Sequence, residues 1–259
     1  MKKEPLLLPE RHALILQQLT TEGRVLAAVL ARALEVTEDT IRRDLRDLAA
    51  AGLCQKVYGG AVRMPNAPEG GSLSQRMERD QADKSRLARA AATLVQPGSV
   101  VFLDAGSSNL AIAEALPPVA LTVLTNAPSI AARLLDKPHI DLIMIGGRIK
   151  QSLGGSVGAT ALRELELLHP DLYFIGACGV DVQAGVTAVD YEEAEFKRRL
   201  AAQSKATAVV ATGAKLGAVA SYGVLPISQL THLIVEADAG EELAAAYAAA
   251  GAKLLRADA

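Results

Sequence analysis

Two stretches of this 259-residue chain carry side chains whose types and spacing could do chemistry. The first runs over residues 37–46. Ile41, Leu45 and Leu48 recur at i, i+4 and i+7, the spacing that turns one face of a helix inward. Thr40, Arg42, Arg43 and Arg46 are left on the outer face and its flank. Arginine presents a planar fork of donors that matches guanine O6 and N7, or a phosphate. The hydroxyls of Thr37 and Thr40 can reach a phosphate or a base edge, and Lys56 and Tyr58 could touch a nucleic-acid backbone. The same charges also fit an ordinary helical bundle with solvated arginines, and charge alone does not separate the two readings.

The second stretch is Val101-Phe102-Leu103-Asp104-Ala105-Gly106-Ser107-Ser108-Asn109, which reads as a strand, a loop of small residues and a helix start. Backbone N–H groups at such a helix start stabilise an anion, and Ser107 and Ser108 add hydroxyl donors. A lone Gly-Ser-Ser loop also serves as a plain helix cap. Recurrence adds weight to the binding reading. Thr125-Asn126, Gly146-Gly147 and Gly176-Ala177-Cys178-Gly179 each end a strand-like run with small or polar residues. Ligands of parallel α/β sheets bind beyond the carboxyl ends of the strands, so these four ends are expected to converge on one pocket.

The elements that must position these groups follow from periodicity. A helix is expected over about residues 11–19, closed by Gly23, and a second over 26–34 with Leu26, Val29, Leu30 and Leu34 on one face. A third begins at the cap Thr37, places Glu38 and Asp39 in its positive first turn, and stops at Gly52. Only Glu35 and Val36 separate the second helix from that cap, which makes the pair a helix-turn-helix. Residues 55–62 read as a hairpin turning at Gly59-Gly60, the layout of a wing. Residues 65–72 (Pro-Asn-Ala-Pro-Glu-Gly-Gly-Ser) have linker composition. Beyond them helix patterns (73–94, 109–116, 129–135, 241–251) alternate with strand patterns (100–103, 121–124, 140–145, 172–175, 206–211, 233–235), which predicts a parallel two-sided sheet. The expected organisation is a winged helix-turn-helix domain over 1–63, a linker over 64–73 and an α/β domain over 74–259.

Bulk properties narrow the class. The net charge is −2, yet residues 1–63 carry ten basic against eight acidic side chains while the remainder carries 17 against 21. The basic excess therefore sits with the helix-turn-helix. Half the residues are hydrophobic, enough for a substantial core, and no apolar run reaches the ~18 residues of a membrane span. The first ten residues lack the apolar segment of a signal peptide, so a cytoplasmic, soluble protein without membrane contact is expected. Cys54 and Cys178 stand in no CxxC pattern and are expected as reduced thiols, with no metal site and no cofactor.

A specific resemblance rests on these same residues. Glu38-Asp39-Thr40-Ile41-Arg42-Arg43-Asp44-Leu45, then Gly52-Leu53 and Tyr58-Gly59-Gly60-Ala61-Val62, with Glu10-Arg11 and Ile15-Leu16 ahead of them, is similar to the DeoR family of bacterial regulators. It implies Arg42 and Arg43 at a double-stranded DNA operator, with Asp44 and Asp47 pairing inside the domain. The resemblance continues through Asp104 to Ser108, Thr125-Asn126, Gly146-Gly147, residues 176–181, residues 192–197 and Lys215. It implies an effector domain resembling the fold of ribose-phosphate isomerase and a phosphorylated sugar or related metabolite as effector. The implied roles are phosphate at Gly106, Ser107, Ser108 and Lys215, and sugar hydroxyls at Asp104, Asn126 and Asp181. Glu193 and Lys197 line the same rim or form an i, i+4 surface ion pair. Two departures stand out: Cys178 occupies a position often acidic in the family, and Thr212-Gly213-Ala214 replaces the usual Asp-Ser-Ser before the lysine.

The expected function is a DNA-binding transcriptional regulator, a repressor of a carbohydrate-use operon acting as a homo-oligomer, dimer or tetramer, on paired half-sites. The rival is a sugar-phosphate isomerase, for which Asp104, Asp181, Glu192, Glu193 and Glu195 are available carboxylates. An isomerase would have no use for the N-terminal sixty residues, and a nucleoid protein none for the large second domain.

Overall fold

The structure, a computed structural model, describes residues 7–22, 24–50, 53–62 and 73–258. The chain divides into two compact units, Met1–Ala67 and Pro68–Ala259. The expected linker over 64–73 falls outside the described residues except for Leu73. Gly23, Gly52 and Arg63 lie outside them as well.

The first unit is a winged helix-turn-helix. Its elements are α1 (Leu8–Glu22), β1 (Arg24–Leu26), α2 (Ala27–Ala33), α3 (Glu38–Ala50), β2 (Gln55–Val57) and β3 (Gly60–Val62). Ile15 and Leu19 of α1, Leu30 of α2 and Ile41, Leu45 and Leu48 of α3 are fully buried together. Each such side chain contributes roughly 1.5–3 kcal/mol of hydrophobic stabilisation. The second helix departs from expectation: its inward face is Ala27, Leu30 and Ala31, while Leu26 and Val29 are exposed. The cause is β1, which takes residues 24–26 into an antiparallel sheet ordered β1-β3-β2 and shifts the helix start by one residue. Gly60 belongs to β3 and the hairpin turns at Tyr58-Gly59. A Cβ on Gly60 would lie 2.0 Å from the Val25 carbonyl oxygen, so the β1–β3 pairing requires glycine there.

The turn between α2 and α3 closes α2 with two bonds, Val36 N to Ala31 O at 3.0 Å and Glu35 N to Arg32 O at 3.4 Å. Glu35 takes the left-handed conformation at φ +53° that glycine more often fills. Thr37 caps α3, its Oγ1 accepting from Thr40 N at 3.2 Å.

The second unit carries α4 (Leu73–Glu78), α5 (Gln81–Ala92), β4 (Val100–Leu103), α6 (Ser107–Ala115), β5 (Leu121–Thr125), α7 (Pro128–Leu134) and β6 (Ile140–Met144). There follow β7 (Arg148–Lys150), β8 (Gly155–Val157), α8 (Ala159–Glu164), β9 (Leu172–Ile175), β10 (Gly179–Asp181), β11 (Gly185–Ala188) and α9 (Tyr191–Gln203). The last elements are β12 (Ala206–Ala211), β13 (Tyr222–Leu225), β14 (His232–Val235), α10 (Glu241–Ala249) and β15 (Lys253–Arg256). The helix expected over 73–94 is two helices, broken where Asp80 adopts φ +49°.

Seven strands form one parallel sheet ordered β15-β14-β12-β9-β4-β5-β6. Successive residues alternate between its two faces. Val101, Leu103, Phe174 and Val210 pack with Leu87 of α5, Ile112 of α6 and Ile130 of α7. Phe102, Tyr173, Ile175 and Val209 pack with Ala161 of α8, Phe196 of α9 and Tyr247 of α10. The result is an α/β/α sandwich whose central strands β4, β9 and β12 are apolar on both faces, as burial on both sides demands. Smaller antiparallel pieces, β7-β8 and β10-β11-β13, decorate it. Among the described residues, no helix is long and apolar enough to cross a membrane.

Candidate functional site

In the first unit, the outer face of α3 presents Arg42, Arg43 and Arg46, all exposed, with Thr40 half-buried beside them and Thr37 exposed at the cap. Arg42 is held by Glu38 one turn earlier at 2.7 Å, a solvent-screened pair that a phosphate or base can displace at little cost. The hydroxyls of Thr37 and Thr40 lie 2.8 Å apart. On the wing, Lys56 and the fully exposed Tyr58 flank the turn. Asp44 faces inward. Its carboxylate accepts from Arg11 Nε at 2.5 Å and Arg11 Nη2 at 2.9 Å, and it is 1% exposed. The hydrogen bond from Arg11 to Asp44 in turn raises the arginine's pKa above its ordinary value. This buried pair ties α1 to α3 and keeps the Asp44 carboxylate off the outer face of α3.

The second unit has its strand-order reversal between β4 and β9. From β4 the chain proceeds to β5 and β6 on one side, and from β9 to β12, β14 and β15 on the other. The helices that follow these two strands cover opposite faces, which opens a crevice beyond their carboxyl ends. A cleft lies there. It lies between residues 105–109 after β4, residues 175–178 at and after β9, Glu193 of α9, Lys215 after β12 and Arg76 of α4.

One end of the cleft suits an anion. Gly106, at φ +152°, precedes α6, and the first amide to bond back into that helix is Leu110 N, to Gly106 O at 3.0 Å. The amides of Ser107, Ser108 and Asn109 are therefore not used by the helix. Lys215 Nζ donates to Ser108 Oγ at 3.1 Å across 107 residues of sequence. Its backbone is pinned at both ends, by Lys215 N to Thr212 O at 2.8 Å and Val180 N to Lys215 O at 2.9 Å.

The other end rests on a buried ionic network. Lys197 donates to the Gly176 carbonyl and to Glu193 Oε1, and lies 3.5 Å from Asp104 Oδ2. Burial alone would lower the Lys197 pKa, but the Asp104 and Glu193 carboxylates outweigh it and hold the ammonium charged. Asp104 Oδ2 also accepts from Tyr173 Oη and Gly176 N, each at 3.0 Å, and Oδ1 from Ala105 N at 2.8 Å. Burial, reinforced by Asp104, pushes the Tyr173 hydroxyl well up, so it stays a neutral donor. Glu193 Oε2 is buried without a hydrogen-bond partner and Glu193 lines the cleft. Cys178 is a half-buried free thiol, pushed up first by burial and then by the Glu193 charge.

The structure thus brings Gly106, Ser107, Ser108, Gly176, Cys178, Glu193 and Lys215 to one cleft. The other expected ligand residues do not line it. Asp104 and Lys197 are saturated by the network just described. The Glu193–Lys197 pair is i, i+4 but buried, not on the surface. Thr125 Oγ1 bonds Leu103 O at 2.7 Å, and Asn126 joins Ala105 N at 3.0 Å to Ser156 O at 3.2 Å, so both brace the loops. Gly146 N bonds Glu164 at 2.7 Å and Gly147 packs on Ala161. Asp181 folds its own turn, accepting from Gln183 N and Ala184 N at 2.9 and 2.8 Å. Two residues escaped sequence reasoning. Asn109 bridges the Asp104 and Phe174 carbonyls at 2.9 Å each, fastening β4 to β9. Arg76 stands in a run of charges that reads as solvated surface. Among the described residues, no cluster of three or more His, Cys, Asp or Glu could hold a metal.

Comparison with known proteins matches residues 11–66 to the DeoR-like helix-turn-helix domain and residues 79–237 to the DeoR C terminal sensor domain. The chain is 31% identical to the HTH-type transcriptional regulator GolR of Listeria innocua over 88% of its length and 90% of that protein's. It is 30% identical to the HTH-type transcriptional repressor GlcR of Bacillus subtilis, over 88% of each. It is 28% identical to the glycerol-3-phosphate regulon repressor of Escherichia coli, over 88% of this chain and 90% of that one. Among solved structures, ribose 5-phosphate isomerase A of Methanocaldococcus jannaschii aligns over 53% of this chain and 55% of its own, at 16% identity and a TM-score of 0.39.

Proposed function

This chain belongs to the DeoR family of transcriptional regulators, and we propose that it represses carbohydrate-use genes, releasing its operator when the cleft of the second unit binds a phosphorylated sugar or related metabolite. It is a regulator with a helix-turn-helix and a sensor domain, and the relatives it matches are named as transcriptional regulators and repressors, not as enzymes.

The observation that carries the effector reading is the polarity of the cleft. At one end are the amides that open α6, two serine hydroxyls and Lys215; at the other is a buried carboxylate oxygen, Glu193 Oε2, without a partner. A phosphate suits the first end and a sugar hydroxyl the second. The name of the glycerol-3-phosphate regulon repressor favours the same ligand class. In this reading Gly106, Ser107, Ser108, Gly176, Cys178, Glu193 and Lys215 meet the ligand. Residues 1–63 read DNA, with Arg42, Arg43, Arg46, Thr37 and Thr40 of α3 in the major groove and Lys56 and Tyr58 of the wing on the backbone. Residues 74–259 sense, and the protein acts in the cytoplasm as a homo-oligomer spanning two half-sites.

The test starts from duplexes that the full-length protein selects out of a random pool. Sugar phosphates and sugar acids are then titrated against the preformed complex. At least one phosphorylated sugar dissociates the wild type, because it binds one conformation better than the other. Lys215→Ala and Ser107→Asp stay on DNA and ignore it. Wild-type dissociation curves from both variants remove the cleft as the effector site. Arg42→Ala or Arg43→Ala costs about 1–3 kcal/mol of duplex affinity if one of them reads a guanine. Unchanged affinity in both removes α3 as the reader.

A further inference from the structure

Arg76 lines the cleft together with Ser107, Ser108 and Lys215, and nothing in the family comparison assigns it a role. Its Nη2 donates to the Ser152 carbonyl at 3.0 Å, in the turn between β7 and β8. Its Nε is buried and has no hydrogen-bond partner. A buried donor on a charged group is costly to leave unpaired. The planar fork of a guanidinium, with Nε and an Nη side by side, matches two oxygens of a phosphate.

The helix that carries Arg76 buries none of its residues fully, and its Met77 packs against the core that α5 and α6 share. At six residues, α4 is too short to persist by its own hydrogen bonds. Leu73 packs so closely on Gly154 that a Cβ there would stand 2.3 Å from its Cδ2. At the other end Lys84, only 3% exposed, donates to the Arg76 and Arg79 carbonyls at 2.6 and 2.7 Å and satisfies the end of the helix. Between these two anchors, Arg76 reaches both the β7–β8 turn and the cleft. Along the chain α4 is the first described element of the second unit, following residues 63–72.

We propose that Arg76 is a third anion contact of the cleft, beside the α6 amides and Lys215, and that by making this contact it ties α4 to the bound ligand. The inference rests on the anion site argued above and deepens it. Ligand binding adds a charge-assisted bond between the cleft and the first element of the sensor unit. The tightness with which α4 is held then depends on occupancy.

The experiment uses the full-length protein and inorganic phosphate at low ionic strength. Phosphate binding is read by ³¹P line broadening and by the rise in melting temperature, and α4 by hydrogen exchange of its amides over residues 73–78. Wild-type protein binds phosphate, and phosphate slows exchange in α4. Lys215→Ala abolishes binding. Arg76→Gln, which keeps a donor for the Ser152 carbonyl and loses the charge, weakens phosphate binding at least tenfold. Its melting temperature without phosphate is unchanged, and phosphate no longer slows α4 exchange. Arg76→Lys falls between the two. Phosphate binding by Arg76→Gln within twofold of wild type, with Lys215→Ala defective, overturns the role of Arg76 and leaves the anion site standing. Losses in both Arg76 variants that track a lower melting temperature without phosphate overturn it as a structural effect. No phosphate binding by the wild type, or binding indifferent to Lys215→Ala, overturns the anion site and this inference with it.

Discussion

Lys197 gives the sharpest test of how the sensor cleft is built. From sequence it either lines the rim of the cleft or forms a surface ion pair with Glu193. The structure makes it a buttress, 1% exposed, with Gly176 O, Glu193 and Asp104 around its ammonium. Lys197→Met keeps much of the apolar stem and removes the charge, which leaves two buried carboxylates facing each other. Removing one partner of a buried ionic group costs about 3–5 kcal/mol, because the other is left uncompensated. For a unit the size of Pro68–Ala259, each kcal/mol shifts the melting point by about 2–4 °C. The expected drop is therefore roughly 6–20 °C. Calorimetry of the full chain reads it, with near-ultraviolet dichroism assigning the transition, since Tyr173, Tyr191, Tyr222 and Tyr247 all lie in the second unit. Adding Glu193→Gln to Lys197→Met should recover at least ~1 kcal/mol, because one of the orphaned charges is gone. A Lys197→Met protein that melts within 2 °C of wild type, by the roughly 2–4 °C per kcal/mol scale, yet loses effector binding would refute the buttress and reinstate the ligand contact.

Three further outcomes follow from the same reasoning. Asp44→Ala strands the Arg11 guanidinium between α1 and α3 at a cost of about 3–5 kcal/mol, so the first unit loses helical dichroism near room temperature while the second melts normally. Gly176→Ala puts a Cβ 2.5 Å from the Ala105 carbonyl oxygen, which is backbone and cannot swing away; a loss of about 1–3 kcal/mol in thermal unfolding is expected, with the effector response impaired. Burial and the Glu193 charge hold the Cys178 thiol protonated at pH 7, so iodoacetamide labels it slowly in native protein, faster as pH rises, and more slowly still when phosphate occupies the cleft.

Local signals carried most of the fold. The strands expected over 100–103, 172–175 and 206–211 are those observed, because a strand buried on both faces shows as an unbroken apolar run. The period of Ile41, Leu45 and Leu48 exposed the inward face of α3 for the same local reason. Failures came where a distant partner decides. β1 is three residues long and exists because β3 pairs with it, so in sequence Arg24 and Val25 read as the approach to a helix and Leu26 as its first residue. The break at Asp80 is a single left-handed residue inside an otherwise continuous helical pattern. The antiparallel pieces β7-β8 and β10-β11-β13 are built from strands of three or four residues, too short for a period to be read.

The site shows the same division, and strand order explains it. Sequence identifies which residues end a strand, and Asp104, Thr125-Asn126, Gly146-Gly147 and Gly176 to Cys178 all do so. It does not say which strands are neighbours. Had β4 to β6 and β9 shared one open rim, all four ends would have met a ligand. In the observed order the reversal falls between β4 and β9, so only those two ends face the crevice. The ends of β5 and β6 lie to one side, where the β7–β8 hairpin and α8 occupy them: Ser156 takes Asn126, Glu164 takes Gly146, and Ala161 packs on Gly147. Their small and polar residues are needed for that close packing, which is why they looked like a binding signal in sequence. Asp104 follows from the same geometry. It sits at the junction of β4 and β9, where the amides of Ala105 and Gly176 donate to it and the Lys197 ammonium of α9 faces it, so that its carboxylate fastens the two strand ends to each other.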